Sequence, residues 1–192
     1  MIEFRGAGPE EFAERLETVI GIYTAAMRPP VEQIAGRMSI MRNHGTYPRF
    51  QCYFAELRES PPGPGLPAPE PKVVGFAYGF RGESGQWWHD VVYRGLADKM
   101  GREAADAWMG YAFELAEIHV HPDYQGKGIG RAMIRTLCAG RPERSAVLST
   151  HDQPTAARHL YASMGFTDLL TKFVFPGGHE EYVIAGRPLP LS

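Results

Sequence analysis

The chain has 192 residues, 44% of them hydrophobic and 22% charged, with a net charge of −2 when its seven histidines are counted neutral. That length and apolar share suit one globular domain, residues 1–192, with a sizeable core. The near-neutral balance excludes a basic nucleic-acid binder and a protein drawn to an anionic membrane surface.

No apolar run approaches the about 18 residues that span a bilayer. The opening MIEFRGAGPEEF has no basic region followed by an apolar core, as a secretory leader would. Cys52 and Cys138 lack CxxC spacing and read as buried thiols of a reducing compartment. The expected location is the cytoplasm.

Met1 to Arg5 reads as a first strand. Pro9 then opens a helix that places Phe12, Leu16, Val19, Ile20 and Tyr23 on one face. A second helix starts near Pro30, carries Val31, Ile34, Met38 and Met41 at helical spacing, and ends near His44-Gly45. Strands follow from Arg49 to Arg58 and from Lys72 to Phe80. Between them, residues 59–71 (ESPPGPGLPAPEP) are too rich in proline and glycine to pack, which predicts an exposed extended loop.

Residues 81–110 hold all three tryptophans, Trp87, Trp88 and Trp108. Their spacing with Val91, Val92 and Leu96 predicts an amphipathic helix, followed by a shorter one over Arg102 to Met109. Such tryptophans anchor a segment to a core, wall a ligand pocket or form a homodimer contact; all three readings stay open.

Glu114 to His121 alternates apolar and polar residues as a strand does, with Glu117, His119 and His121 on one face and Ile118 and Val120 on the other. His121-Pro122-Asp123-Tyr124 is turn chemistry. From Gly128 the period changes: Ile129, Met133, Ile134 and Leu137 recur at helical spacing up to Gly140. Between strand and helix lie Gln125-Gly126-Lys127-Gly128-Ile129-Gly130, then Arg131. A helix start leaves backbone amides without partners, and glycines let an anion approach them beside the Lys127 and Arg131 cations. The segment therefore reads as a pyrophosphate cradle. The plainer alternative is a tight turn that needs glycine for its backbone alone.

Ser145 to Thr150 reads as a buried strand, and His151-Asp152-Gln153 as a polar turn. Pro154 starts a helix with Ala157, Leu160, Tyr161 and Met164 on one face, which Gly165 ends. Phe166 to Phe175 and Glu181 to Arg187 form a last strand pair.

The glycine segment is not a Walker loop, because His121 stands at the first glycine and Gly128 follows the lysine. It is not the dinucleotide fingerprint either, since Arg131 falls where the last glycine should be. No serine lies in GxSxG. His119-x-His121 has no further ligand at metal spacing, and no metal is expected. Gln125-x-x-Gly128-x-Gly130, preceded by Val120-x-Pro122, closely resembles motif A of the GCN5-related N-acetyltransferases (GNAT). Pro154-Thr155-Ala156-Ala157-Arg158-His159-Leu160-Tyr161-Ala162-Ser163-Met164-Gly165-Phe166 is similar to their motif B.

That resemblance implies an α/β (α+β) fold, a mixed sheet of six or seven strands flanked by helices, with residues 81–110 as a helical insertion between the third and fourth strands. It implies acetyl-CoA as co-substrate and a primary amine of a small molecule or peptide as acceptor. The backbone near Ile118 and Val120 would pair with the pantetheine arm, and Gln125, Gly126, Lys127, Gly128, Ile129, Gly130 and Arg131 would hold the pyrophosphate. Tyr161 would protonate the departing sulfur. Glu117 would act as base, with His119 on the same face as its rival. The asparagine usual before the motif-B helix is replaced by Gln153-Pro154. A binding module for acyl-CoA that has lost catalysis is the alternative function.

Overall fold

The computed structural model describes residues 1–61, 63 and 67–191. Positions 62 and 64–66 of the proline-rich run lie outside the described residues; the flanking positions 59–61 and 67–70 are exposed and carry no helix or strand, as expected of this loop.

The elements run β1 (Ile2–Ala7), α1 (Pro9–Glu14), α2 (Leu16–Met27), α3 (Val31–His44), β2 (Gln51–Leu57), β3 (Lys72–Arg81), α4 (Trp87–Met100), α5 (Arg102–Met109), β4 (Ala112–Val120), a 3₁₀ turn (Pro122–Tyr124), α6 (Ile129–Cys138), β5 (Ser145–His151), α7 (Ala156–Ser163), β6 (Thr167–Val174) and β7 (Glu181–Pro188). The strands pair in the order β1-β2-β3-β4-β5-β7-β6, a mixed seven-stranded sheet with the helical insertion between the third and fourth strands. The chain forms two compact units, Met1–Gly79 with Glu117–Leu137, and Phe80–Ala116 with Cys138–Ser192.

In the first unit β1 pairs antiparallel with β2, Ile2 opposite Leu57 and Ala7 opposite Cys52, and β2 pairs antiparallel with β3. The predicted first helix is two helices. The chain bends at Arg15 (φ −98°, ψ 12°), yet Phe12, Leu16, Val19, Ile20 and Tyr23 are all buried as their spacing requires. Phe12 packs on Phe50 and Tyr78, with ring centroids 4.9 and 5.0 Å away. In α3 only Met41 is buried, and Val31 is 81% exposed. Helical spacing identified a face there, but little of it is covered. Cys52 is a buried free thiol that burial pushes to higher pKa.

In the second unit the start of β4 runs parallel to β5, Ala112 opposite Ser145, while β5, β7 and β6 are antiparallel. Val92 and Leu96 of α4 and Ala105 and Met109 of α5 are buried with Val147, Leu170 and Ile184 of the sheet. Gly186 is where the sheet meets Trp108: a Cβ there would lie 2.9 Å from the indole ring. Trp88 Nε1 donates to Ser149 Oγ at 3.2 Å, so two of the three tryptophans anchor the insertion. Trp87 is 58% exposed, with its ring 5.6 Å from that of Phe175. Cys138 is also buried and free, its thiol pushed up to about 12 by burial.

Candidate active site

The first unit carries both the glycine segment and the polar face of β4. β4 ends in the 3₁₀ turn, whose Asp123 amide donates to His121 Nδ1 at 3.4 Å. Gln125, Gly126, Lys127 and Gly128 are exposed. Gly126 and Gly128 have φ of 74° and 78°, and a Cβ built on either meets nothing within 4 Å. A left-handed backbone favours glycine here, and the space over it is open. The first helical bond of α6 runs from the Ala132 amide to the Gly128 carbonyl at 3.1 Å, so Ile129 and Gly130 supply amides ahead of the ladder. Ile129 is itself buried and pins the helix start to the core with Met133, Ile134 and Leu137.

Around this opening, Lys127 Nζ donates to the Asp123 carbonyl at 3.0 Å and stands 5.1 Å from the centre of the Tyr124 ring. Gln125 Nε2 donates to the Val120 carbonyl at 2.9 Å, so this motif-A side chain closes the strand-to-helix turn on the very strand expected to meet pantetheine. Ile118 and Val120 are half-buried, as are Gly130 and Arg131. These residues fit a diphosphate: open positive-φ glycines, an amide-bearing helix start and a cation within one segment.

Upstream on β4, Glu117 is 9% exposed and both its oxygens are engaged. His119 Nε2 lies 2.5 Å from Oε2, and Arg37 Nη1 of α3 donates to Oε1 at 3.2 Å. Burial alone would raise the Glu117 pKa, but the His119 hydrogen bond and the neighbouring Arg37 guanidinium help to outweigh it and hold the carboxyl below its usual range. The His119 ring stands edge-on to Tyr23 of α2, centroids 5.1 Å apart, and 5.4 Å from Phe76 of β3. Its Nδ1 has no hydrogen-bond partner among the described residues. Arg37 also lies over the Tyr23 ring, 5.3 Å from its centre. Nearby His44 Nδ1 meets Tyr78 OH at 3.0 Å, and burial lowers the His44 pKa to about 4, with Glu117 opposing and Arg37 reinforcing that shift.

Glu117 and His119 are thus brought together as the strand alternation predicts, whereas His121 lies beyond the strand, in the turn. Arg37, Tyr23 and His44 were not foreseen. Arg37 sits between Ile34 and Met38 in a helix read for its apolar positions, and its partner is 80 residues away; no local pattern announces such a pair.

Tyr161 belongs to the second unit. It is half-buried on α7, its ring 5.8 Å from Phe166, and it borders a cavity of about 330 Å³ with Arg158 and His159. The α7 start is capped by Thr155, whose hydroxyl accepts from the Arg158 amide at 3.2 Å. Ala157, expected on the shared face, is exposed; Gln153 is exposed as well.

A family model described as an acetyltransferase (GNAT) domain matches residues 71–168. The GCN5-like protein acetyltransferase Rv2170 of Mycobacterium tuberculosis is 34% identical over 197 residues, covering 95% of this chain and 96% of the relative. The chain belongs to the GNAT acetyltransferase family. Solved structures agree on the GNAT fold. Arabidopsis thaliana NAA60 bound to a bisubstrate analogue superposes with a TM-score of 0.65 at 18% identity, covering 99% of this chain and 100% of NAA60. An acetyltransferase from Thermus thermophilus gives 0.58 at 16% identity over 98% and 97% of the two chains. GNAT membership accounts for the glycine segment, which coincides with the family's motif A.

Proposed function

We propose that this GNAT protein is an acetyl-CoA-dependent N-acetyltransferase that passes an acetyl group to a primary amine of a small molecule or peptide by direct attack on the thioester. The observation that carries the reading is the succession, within one unit, of an ionised Glu117 hydrogen-bonded to His119 and then an open glycine-lined helix start. Family membership and the acetyl-CoA complex of the similar NAA60 support the donor. Gly126, Gly128, Gly130 and the α6 amides, with Lys127 and Arg131, would bind its diphosphate.

An alkylammonium, with an ordinary pKa of about 10.4, cannot attack until it loses a proton. Glu117 is a poor acceptor by itself, because both oxygens are engaged and its acidity is enhanced. His119, donating through Nε2 to Glu117, keeps an Nδ1 lone pair to take that proton, and the Glu117 anion stabilises the imidazolium that results. The neutral nitrogen then forms its bond to the acetyl carbon as the C–S bond breaks. Tyr161 is assigned, on its motif-B position, to donate its hydroxyl proton to the leaving thiolate, and the proton that the nitrogen sheds on becoming an amide restores the phenol, while the proton taken by His119 leaves to solvent.

Thiol release from acetyl-CoA across a panel of small amines and peptide N-termini tests this reading. Amine-dependent release with an acetylated product is expected. Tight acetyl-CoA binding with no amine-dependent release would instead mark a binding module.

A further inference from the structure

Resting on the acetyl-transfer reading, we propose that Arg37 is a positioning residue for proton removal: its ion pair with Glu117 fixes the carboxylate so that His119 is held as the Nε2–H tautomer with Nδ1 turned to the acceptor amine. Three observations meet here. The pair occupies the oxygen that His119 does not use, 3.2 Å from Arg37 Nη1, so the carboxylate cannot rotate without breaking a charged hydrogen bond. Glu117 is almost fully buried, so its carboxylate is screened less than one at the surface. Tyr23 serves both ends: its ring lies under the Arg37 guanidinium and edge-on to the His119 imidazole. Guanidinium, carboxylate, imidazole and phenol ring therefore lock one another.

The charge matters as well as the geometry. The titratable groups around the pair are Tyr23 of α2 against His119, Arg37 and His44 of α3 near Glu117, and Tyr78 of β3 beside His44 and near Arg37. Arg37 is the fixed cation among them. It offsets the Glu117 anion at the oxygen that His119 does not use. Without it, a buried carboxylate oxygen loses its charged partner and nothing holds the group in the orientation that receives His119 Nε2–H.

The test is ¹⁵N NMR of the His119 imidazole in the whole chain, assigned by His119→Gln, in the parent protein and in Arg37→Met and Arg37→Lys. In the parent the Nε2–H tautomer should dominate. In Arg37→Met the two neutral tautomers should mix. Arg37→Lys should restore most of the Nε2–H tautomer. In turnover, Arg37→Met should lower kcat by about tenfold, with KM for acetyl-CoA unchanged. If Arg37→Met does not fold, Arg37→Leu, which likewise offers Glu117 no donor, carries the same comparison. An unmoved tautomer ratio in the donorless variant would overturn the proposal, whatever the activity. If the parent protein acetylates no amine, the acetyl-transfer reading fails separately, and the NMR comparison still decides the role of Arg37 at this pair.

Discussion

Nε2 of His119 stands 2.5 Å from Oε2 of Glu117 inside a shell of Tyr23, Phe76 and Arg37. A buried carboxylate on one imidazole nitrogen leaves the other nitrogen to accept a proton in the proposed transfer, which would divide the labour between two residues that the strand pattern alone presents as rivals.

Glu117→Gln keeps the side chain's shape and removes its charge. The imidazolium loses its stabilising anion, and kcat should fall by about 10²-fold with little change in acetyl-CoA affinity. Arg37 loses its partner at the same time, so stability should fall by about 1–3 kcal/mol. Steady-state kinetics and urea unfolding measure the two effects.

His44 makes stability depend on pH. The folded chain holds it near 4 by burial, against an ordinary 6.5. Between those values the unfolded chain binds a proton that the folded chain refuses, so stability falls as pH drops from about 6.5 to 4 and is then level for this group. At about 1.4 kcal/mol per tenfold change in proton affinity, the loss approaches about 3 kcal/mol. Glu117, held below its usual range, loses its contribution only as the pH falls below the ordinary carboxylate value of 4.5. Unfolding free energies from pH 7 to 4 should slope in the parent and flatten in His44→Gln.

Tyr161→Phe removes one hydroxyl from a half-buried ring and leaves its packing against Phe166 in place. Turnover should drop by about 10²-fold or more while acetyl-CoA binding stays within about twofold, as for loss of a general acid. Unchanged turnover would remove the tyrosine from the mechanism.

Adjacent tryptophans of the insertion should behave differently. Trp88→Phe loses the hydrogen bond to Ser149 and part of a half-buried ring packed on the core, and should cost about 1–3 kcal/mol. Trp87→Ala, on a side chain 58% exposed, should cost under about 1 kcal/mol. Thermal unfolding of the two variants compares them directly.

Much of this was legible in the sequence for physical reasons. The switch from period 2 to period 3.6 between His119 and Ile129 marks the strand, turn and helix, and the intervening glycines have no packing purpose that competes with their backbone role. The insertion's two helices are legible because their apolar residues repeat cleanly. The bend at Arg15 is not, since both helices keep one buried face through it and neither glycine nor proline marks the break. The exposure of Val31 escapes for a related reason: periodicity defines a face and says nothing of what covers it. Arg37 is the clearest omission, because its meaning lies wholly in a partner on another element.

The most direct measurement is the affinity for coenzyme A, by calorimetry, of the parent protein and of Gly128→Val. At φ 78° a side chain is strained, and its Cβ enters the open space over the α6 start. The account predicts binding weakened by at least about tenfold in a variant that still unfolds cooperatively, a loss of about 1.4 kcal/mol. Undiminished affinity in a folded Gly128→Val would contradict it.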